Sequence, residues 1–306
     1  MTDLHVSLPD VRARARAAFL GLALGDALGA SVEFMTPREI AAAHGVLREV
    51  VGGGWLRLRR GEVTDDTELS LCLARSLVAR GGLDLADVAA RFAAWLRAGP
   101  RDAGNTVRRG IRRWLLDGSL SGPPSEGDGG NGAAMRLVPL ALATLGDEAR
   151  LAAGALAQAH LTHHHPLSDA ACVHLGRLVQ LASLGRSRGT LLRETEAWLA
   201  RFPTFGFAPY RGLATGYVVD TMQTVLHFFF STRGFEECLV AVVNQGGDAD
   251  TTGAIAGALA GAYYGPRELP ARWLRALDRR VRDEIEALVE PLLALSALFT
   301  RGPASP

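Results

Sequence analysis

Along most of the chain, apolar side chains return every three or four positions, the spacing that gathers them on one face of an α-helix. Residues 11–30 set the pattern, repeating Ala, Leu and Phe before ending in LGDALGAS. The same periodicity predicts helices at roughly 66–80, 84–98, 104–117, 132–145, 148–162, 167–184, 189–201, 212–231, 235–245, 251–264 and 271–299, the last broken near Pro291. The interrupters between them are turn-forming, including ARGGLD, LRAGPRD, STRGFE and YYGPRELP. Hardly any segment alternates with period two, and β-branched residues are sparse. The predicted fold is all-α, a compact bundle of many helices in several layers.

Two stretches fall outside the helical pattern. Residues 34–63 mix a short helix with the glycine-rich VVGGGWLRLRRG, and residues 118–131, GSLSGPPSEGDGGN, read as a polar loop. Composition does not break anywhere and no internal repeat is visible, so residues 1–306 are expected to form a single domain. Gly21, Gly25 and Gly29 lie four apart and make a smooth stripe along which a second helix or a ligand could come close.

Composition narrows the chemistry more than the fold. A formal net charge of +1 makes no case for nucleic acid or an acidic membrane as partner. All 33 Lys-plus-Arg positions are arginine, which removes Schiff-base chemistry and the lysine of a phosphate loop. Cys72, Cys172 and Cys238 stand alone in apolar segments, as buried thiols of a reducing compartment rather than a disulfide framework or thiolate zinc site. The opening MTDLHVSLPD lacks the basic-then-apolar pattern of a secretory signal, and no run is long and uncharged enough to span a bilayer. A cytoplasmic location is expected.

The candidate chemistry lies in two acidic stretches. In GEVTDDTELS, residues 61–70, Asp65 and Glu68 have the spacing of a capping box, which explains one aspartate but not Asp66, Thr64 or Thr67. In NQGGDADTTGAIAGALAG, residues 244–261, Asp248 and Asp250 stand in a glycine-bounded turn, and Thr251 and Thr252 lead into a small-residue helix. Carboxylates and hydroxyls at two helix mouths are hard-oxygen donors suited to Mg²⁺ or Mn²⁺. If the mouths face one another, four aspartates supply a formal −4 against two divalent cations, which in two-metal enzymes stand about 3.5–4 Å apart. Zinc fits less well. His163, His164 and His165 are consecutive and cannot all reach one ion from regular backbone, and they read as a helix end stopped by Pro166, with one histidine lining a pocket.

With these stretches placed, the chain resembles the ADP-ribosylglycohydrolase family from about residue 12 to 300. The likeness rests on GLALGDALGASVEF (21–34), TDDTE (64–68), GNGAAMR (130–136), LTH (161–163) and QGGDADTTGAIAGALAGAYYG (245–265), in this order. It implies an all-α fold with a dimetal cleft at helix ends. Position by position, Thr64, Asp65, Asp66, Asp248, Asp250 and Thr251 would hold the two cations, manganese being usual and magnesium the alternative. Glu33 and Asp102 match acidic positions near the chemistry, though alone they read as a loop-edge charge and a helix cap. Asn105, Glu126, Asn131, Gly132, His163 and Tyr217 match ligand contacts, with Asn131 and Gly132 at the start of a helix whose N–H groups could cradle phosphate. Met135 and Arg136 read as core filling and solvent charge. Phe205, Phe207 and Tyr210 read as loop packing, or as an adenine or ribose platform.

The activity implied is hydrolysis of the bond between ADP-ribose and a protein arginine. Within the family the pattern favours ADP-ribosylated dinitrogenase reductase as protein substrate, and PII signalling proteins as partners able to recruit the enzyme peripherally to a membrane. Two other readings stay open: an ADP-ribose-binding module without turnover, and a magnesium-dependent phosphohydrolase of nucleotide sugars.

Overall fold

A computed structural model describes residues 7–212 and 214–300; the first six positions of MTDLHVSLPD, residue 213 of the 212–231 helix and the last six of 1–306 lie outside them. The helices are α1 (Leu8–Gly29), α2 (Pro37–His44), α3 (Asp65–Arg80), α4 (Leu85–Arg97), α5 (Asn105–Asp117), α6 (Val138–Ala143), α7 (Glu148–His160), α8 (Pro166–Ser183), α9 (Arg188–Arg201), α10 (Val218–Ser231), α11 (Phe235–Val243), α12 (Ala249–Tyr264), α13 (Ala271–Ala276), α14 (Arg279–Ala294) and α15 (Ala297–Thr300). Among the described residues the only β pairings are two isolated bridges, Gly53 with Leu58 and Gly130 with Tyr217. None of these helices is long and apolar enough to cross a membrane.

The glycine stripe receives a helix. A Cβ on Gly21, Gly25 or Gly29 would lie 2.2, 2.0 or 2.1 Å from the carbonyl oxygens of Gly257, Gly253 and Ala249 in α12. Residue numbers rise along α1 as they fall along α12, so the two pack antiparallel, backbone against backbone, and both are buried on almost every side. Their orientation brings the C-terminal end of α1 to the N-terminal mouth of α12. Neighbouring helices enclose this pair in a continuous apolar core.

Three boundaries differ from the periodicity. Residues 132–136 form turns, and α6 begins only at Val138, with Pro139 in the first turn where its missing N–H costs nothing. The segment 271–299 breaks at Leu277, where Asp278 caps α14 by accepting from the N–H groups of Arg280 (2.8 Å) and Val281 (3.5 Å), and again at Leu295 and Ser296, while Pro291 itself is carried inside α14. Pro166 starts α8 instead of stopping a helix, and His165 is the cap, its Nδ1 accepting from Leu167 N at 3.1 Å.

Candidate active site

The capping box predicted at Asp65 and Glu68 does not form. Glu68 instead accepts from Trp95 Nε1 at 2.5 Å. The cap of α3 comes from α1: Asp26 accepts from Thr64 N at 3.0 and 3.1 Å and from Thr67 N at 3.2 Å, and from both threonine hydroxyls at 3.0 and 2.5 Å. A carboxylate borrowed from another helix thus satisfies the α3 mouth and frees Asp65 and Asp66 for other work. Asp26 is missed by the motif reading, although a lone acid within the buried, otherwise apolar stretch 17–29 of α1 is a signal in itself.

The second acidic stretch is pinned to the same place. Gly246 and Gly247 take φ of +67° and +63°, and a Cβ on either would lie within 2.0 Å of the carbonyl of Met35 or Ala214. Phe34 N donates to Gly247 O at 2.6 Å and Gly247 N to Met35 O at 2.8 Å, which holds Phe34 itself at φ +64°. A bulky residue in that region costs of order ~1–3 kcal/mol and persists only where its surroundings enforce it. The two stretches meet directly: Thr251 Oγ1 donates to Asp66 Oδ2 at 3.2 Å.

The result is seven carboxylates, Asp26, Glu33, Asp65, Asp66, Asp102, Asp248 and Asp250, that raise one another's proton affinity. Loss of water is the largest cause at each, and repulsion by neighbouring carboxylates adds to it at Glu33, Asp65, Asp66, Asp102 and Asp250. Glu33 and Asp65 are pushed up to about 8 and Asp26 to about 7. Asp66 and Asp250 rise well above the carboxylate range, and Asp102 and Asp248 rise too. Asp66 Oδ1 and Asp250 Oδ1 are buried without a hydrogen-bond partner. Oxygens of Glu33, Asp248 and Asp250 lie within 4.8 Å of one another. Leaving such carboxylates unpaired costs several kcal/mol each. Hard divalent cations fit this donor set: the orphaned oxygens lack a positive partner, and every donor is a carboxylate or hydroxyl.

A cavity of about 610 Å³ opens above the cluster. Glu33, Asp65, Asp102, Asn105, Asn131, Gly132, His163, Asp248, Asp250 and Thr251 line it. Asp66 and Thr64 lie just beneath, Thr64 Oγ1 bonding Asp66 Oδ2 at 3.1 Å. Asn131 Nδ2 donates to Asp248 Oδ2 at 2.6 Å, and Gly104 N to Asp65 Oδ2 at 3.2 Å. Trp55 Nε1 donates to Glu33 Oε2 at 2.6 Å, and its half-exposed ring packs on Phe34 at the mouth. The glycine-rich sequence around Trp55 suggested only a loop.

Other expectations resolve differently. Glu126 is fully exposed, with its carboxylate 3.5 Å from His165 Nε2, and Tyr217, 43% exposed, stands beside Gly129; neither lines the cavity. Asp102 is not a helix cap, since α5 starts behind Gly104. No helix N-terminus stands at Asn131 and Gly132, so the phosphate-cradle argument loses its basis there. Arg136 is not a solvent charge but wholly buried. Tyr210 packs on His227 and Phe228, Phe207 on Phe230, and Phe205 is buried against Trp198. The three cysteines are buried and free.

Comparison with known proteins places this geometry. The chain is 56% identical over 290 residues to the ADP-ribosyl-[dinitrogen reductase] glycohydrolase of Rhodospirillum rubrum, covering 95% of this chain and 99% of that one. It is 32% identical to the ADP-ribosylarginine hydrolase Tri1 of Serratia proteamaculans, over 92% of this chain and 80% of the relative. A solved structure described as an ADP-ribosylglycohydrolase-related protein complex superposes with a TM-score of 0.82 at 38% identity, covering 94% of this chain and 99% of its own. The ADP-ribosylglycohydrolase family model matches residues 7–302, and the chain belongs to that family.

Proposed function

We propose that this chain hydrolyses the N-glycosidic bond between ADP-ribose and a protein arginine, with ADP-ribosylated dinitrogenase reductase as its protein substrate. The linkage and substrate are supported by the Rhodospirillum rubrum and Serratia relatives. The observation that carries the chemistry is the Thr251–Asp66 bond, through which two distant acidic stretches share one cavity floor. In this reading residues 1–306 act as one domain, supported by the continuous core.

Thr64, Asp65, Asp66, Asp248, Asp250 and Thr251 would hold two divalent cations, manganese first and magnesium second, and Glu33 joins them through its nearness to Asp248 and Asp250. When bound there, the cations supply the Lewis acidity that grips and orients the ribose hydroxyls. Asn105, Asn131, Gly132 and His163 offer polar contacts to sugar and diphosphate, with Glu126 and Tyr217 toward the outer edge. Glu33 and Asp102 are the two acids that could act as base; Glu33 is drawn into the ion-holding set, which leaves Asp102. Its burial raises its proton affinity and makes it a better base. Asp102 takes a proton from water as the water oxygen bonds to the anomeric carbon. The C–N bond breaks and its electron pair leaves on the guanidine nitrogen. Arginine's high pKa lets the group depart already protonated, and the neutral guanidine then takes up the proton that Asp102 received.

A panel of arginine-, serine- and acetyl-linked ADP-ribose substrates tests this directly. Release of ADP-ribose and unmodified arginine is the expected product pair. Released phosphate would instead indicate a phosphohydrolase, and binding without product a non-catalytic module. PII signalling proteins are the proposed regulatory partners, able to draw the enzyme to a membrane, on family resemblance alone. Absence of association in pull-downs under every nucleotide-effector condition would reject that partnership.

A further inference from the structure

We infer that Arg136 and Thr162 lock His163 in its Nε2–H tautomer, so that the imidazole offers the cavity a fixed hydrogen-bond donor for an acceptor oxygen of ADP-ribose. The ligand's identity rests on the proposed function; the tautomer does not.

Arg136 is 0% exposed, and no carboxylate is among its hydrogen-bond partners. Its Nε donates to Gln158 Oε1 at 2.9 Å, and its Nη2 to Gln158 O at 3.0 Å and Thr162 Oγ1 at 2.8 Å. Gln158 is itself held the right way round, its Nε2 donating to Ala133 O at 3.1 Å. The guanidinium carbon lies 4.8 Å from the Phe92 ring centroid, where the π face offsets part of the charge.

A guanidinium only donates. Thr162 Oγ1 therefore accepts from Arg136, and its single proton must go to its other partner, His163 Nδ1, at 2.8 Å. Nδ1 is then a bare acceptor, and the neutral ring carries its proton on Nε2. A proton on Nδ1 would set two donors against one hydroxyl and strand the hydroxyl's own hydrogen. Burial and the nearby Arg136 charge also hold His163 well below its ordinary pKa, which keeps the ring neutral.

The other edge of the ring is free to act. A Cβ on Gly132 would lie 2.7 Å from His163 Cε1, and one on Gly130 3.2 Å from Nε2, so these glycines let the ring edge stand at the cavity wall. Among the described residues Nε2 has no hydrogen-bond partner. A donor in a chamber that also presents Glu33, Asp65, Asp102, Asp248 and Asp250 suits an oxygen of the sugar or diphosphate, which those acids would otherwise repel.

Nitrogen-15 histidine NMR on the full chain tests the inference, with His163 assigned by the signal lost in His163→Gln. The ring should show Nε2 protonated and Nδ1 bare between about pH 5.5 and 8.5, and free ADP-ribose should shift the Nε2–H signal. Thr162→Ser should keep the tautomer. Thr162→Val should give a mixture, with KM raised about tenfold and kcat changed less than about twofold. An Nδ1–H or imidazolium ring in the unaltered protein, an Nε2–H signal unmoved by ADP-ribose, or a Thr162→Val protein with the original tautomer and KM would each overturn it. Should Thr162→Val not fold, the unaltered and Thr162→Ser spectra decide. Failure to cleave arginine-linked ADP-ribose would sink the proposed function while leaving the tautomer result standing.

Discussion

The α1–α12 seam and the acidic cluster at its end are continuous in space yet opposite in physics. Along the seam, backbone meets backbone at glycines, and a single added methyl would collide with a carbonyl. At its end the packing is also close, but the contents are mismatched: seven carboxylates, with two oxygens lacking any partner. The seam is complete by itself. The cluster asks for charge from outside, and the rigidity of the one holds the other in a state it would not choose.

The sharpest way to break the contrast is Gly25→Ala. With 2.0 Å between the new Cβ and Gly253 O, the helices must separate, and a loss of more than about 3 kcal/mol is expected in urea unfolding. Within the cluster, Asp66→Asn should do the reverse to the ion-free protein, raising its stability by ~1–3 kcal/mol because a buried unpaired acid is gone. The same change should remove cation binding in calorimetry and lower turnover by about 10³-fold. Unchanged activity without bound ions would reject the metal-dependent reading.

Stability of the ion-free protein should also depend on pH. The folded-state pKa values of Glu33, Asp65 and Asp26 are raised to about 8, 8 and 7. A raised pKa contributes stability that is fully present below the unfolded value near 4 and is lost as pH rises through the folded one. Urea midpoints of the ion-free protein should therefore fall between about pH 4 and 8, and saturating Mn²⁺ should flatten the slope while releasing protons. A flat ion-free profile would contradict the shared burial of these acids. The smallest effect is expected at Trp55→Phe, which keeps a ring against Phe34 but loses the bond to Glu33. Cation affinity should drop about five- to tenfold with global stability within ~1 kcal/mol.

Much of this was legible in the sequence wherever one segment sufficed to decide it. The all-α class, the glycine stripe and the two acidic mouths follow from local periodicity and spacing. What escaped was set by partners from elsewhere in the chain. Asp26 caps α3 from a different helix, so the local DxxE pattern misled. Arg136 followed an ordinary small-residue stretch, and only Gln158, Thr162 and Phe92 make its burial tolerable. Trp55 lies in a glycine-rich stretch that carried no motif, and only its indole bond to Glu33 ties it to the site.

The pairing of Gly21 with Gly257 joins two helices far apart in sequence. During synthesis α1 must wait until α12 has left the ribosome before it finds its mate, since contacts so distant in sequence form late. Until then its bare glycine face has no cover. Fragments lacking residues 249–264 should accordingly accumulate as sticky, catalytically dead chains rather than as slow enzymes.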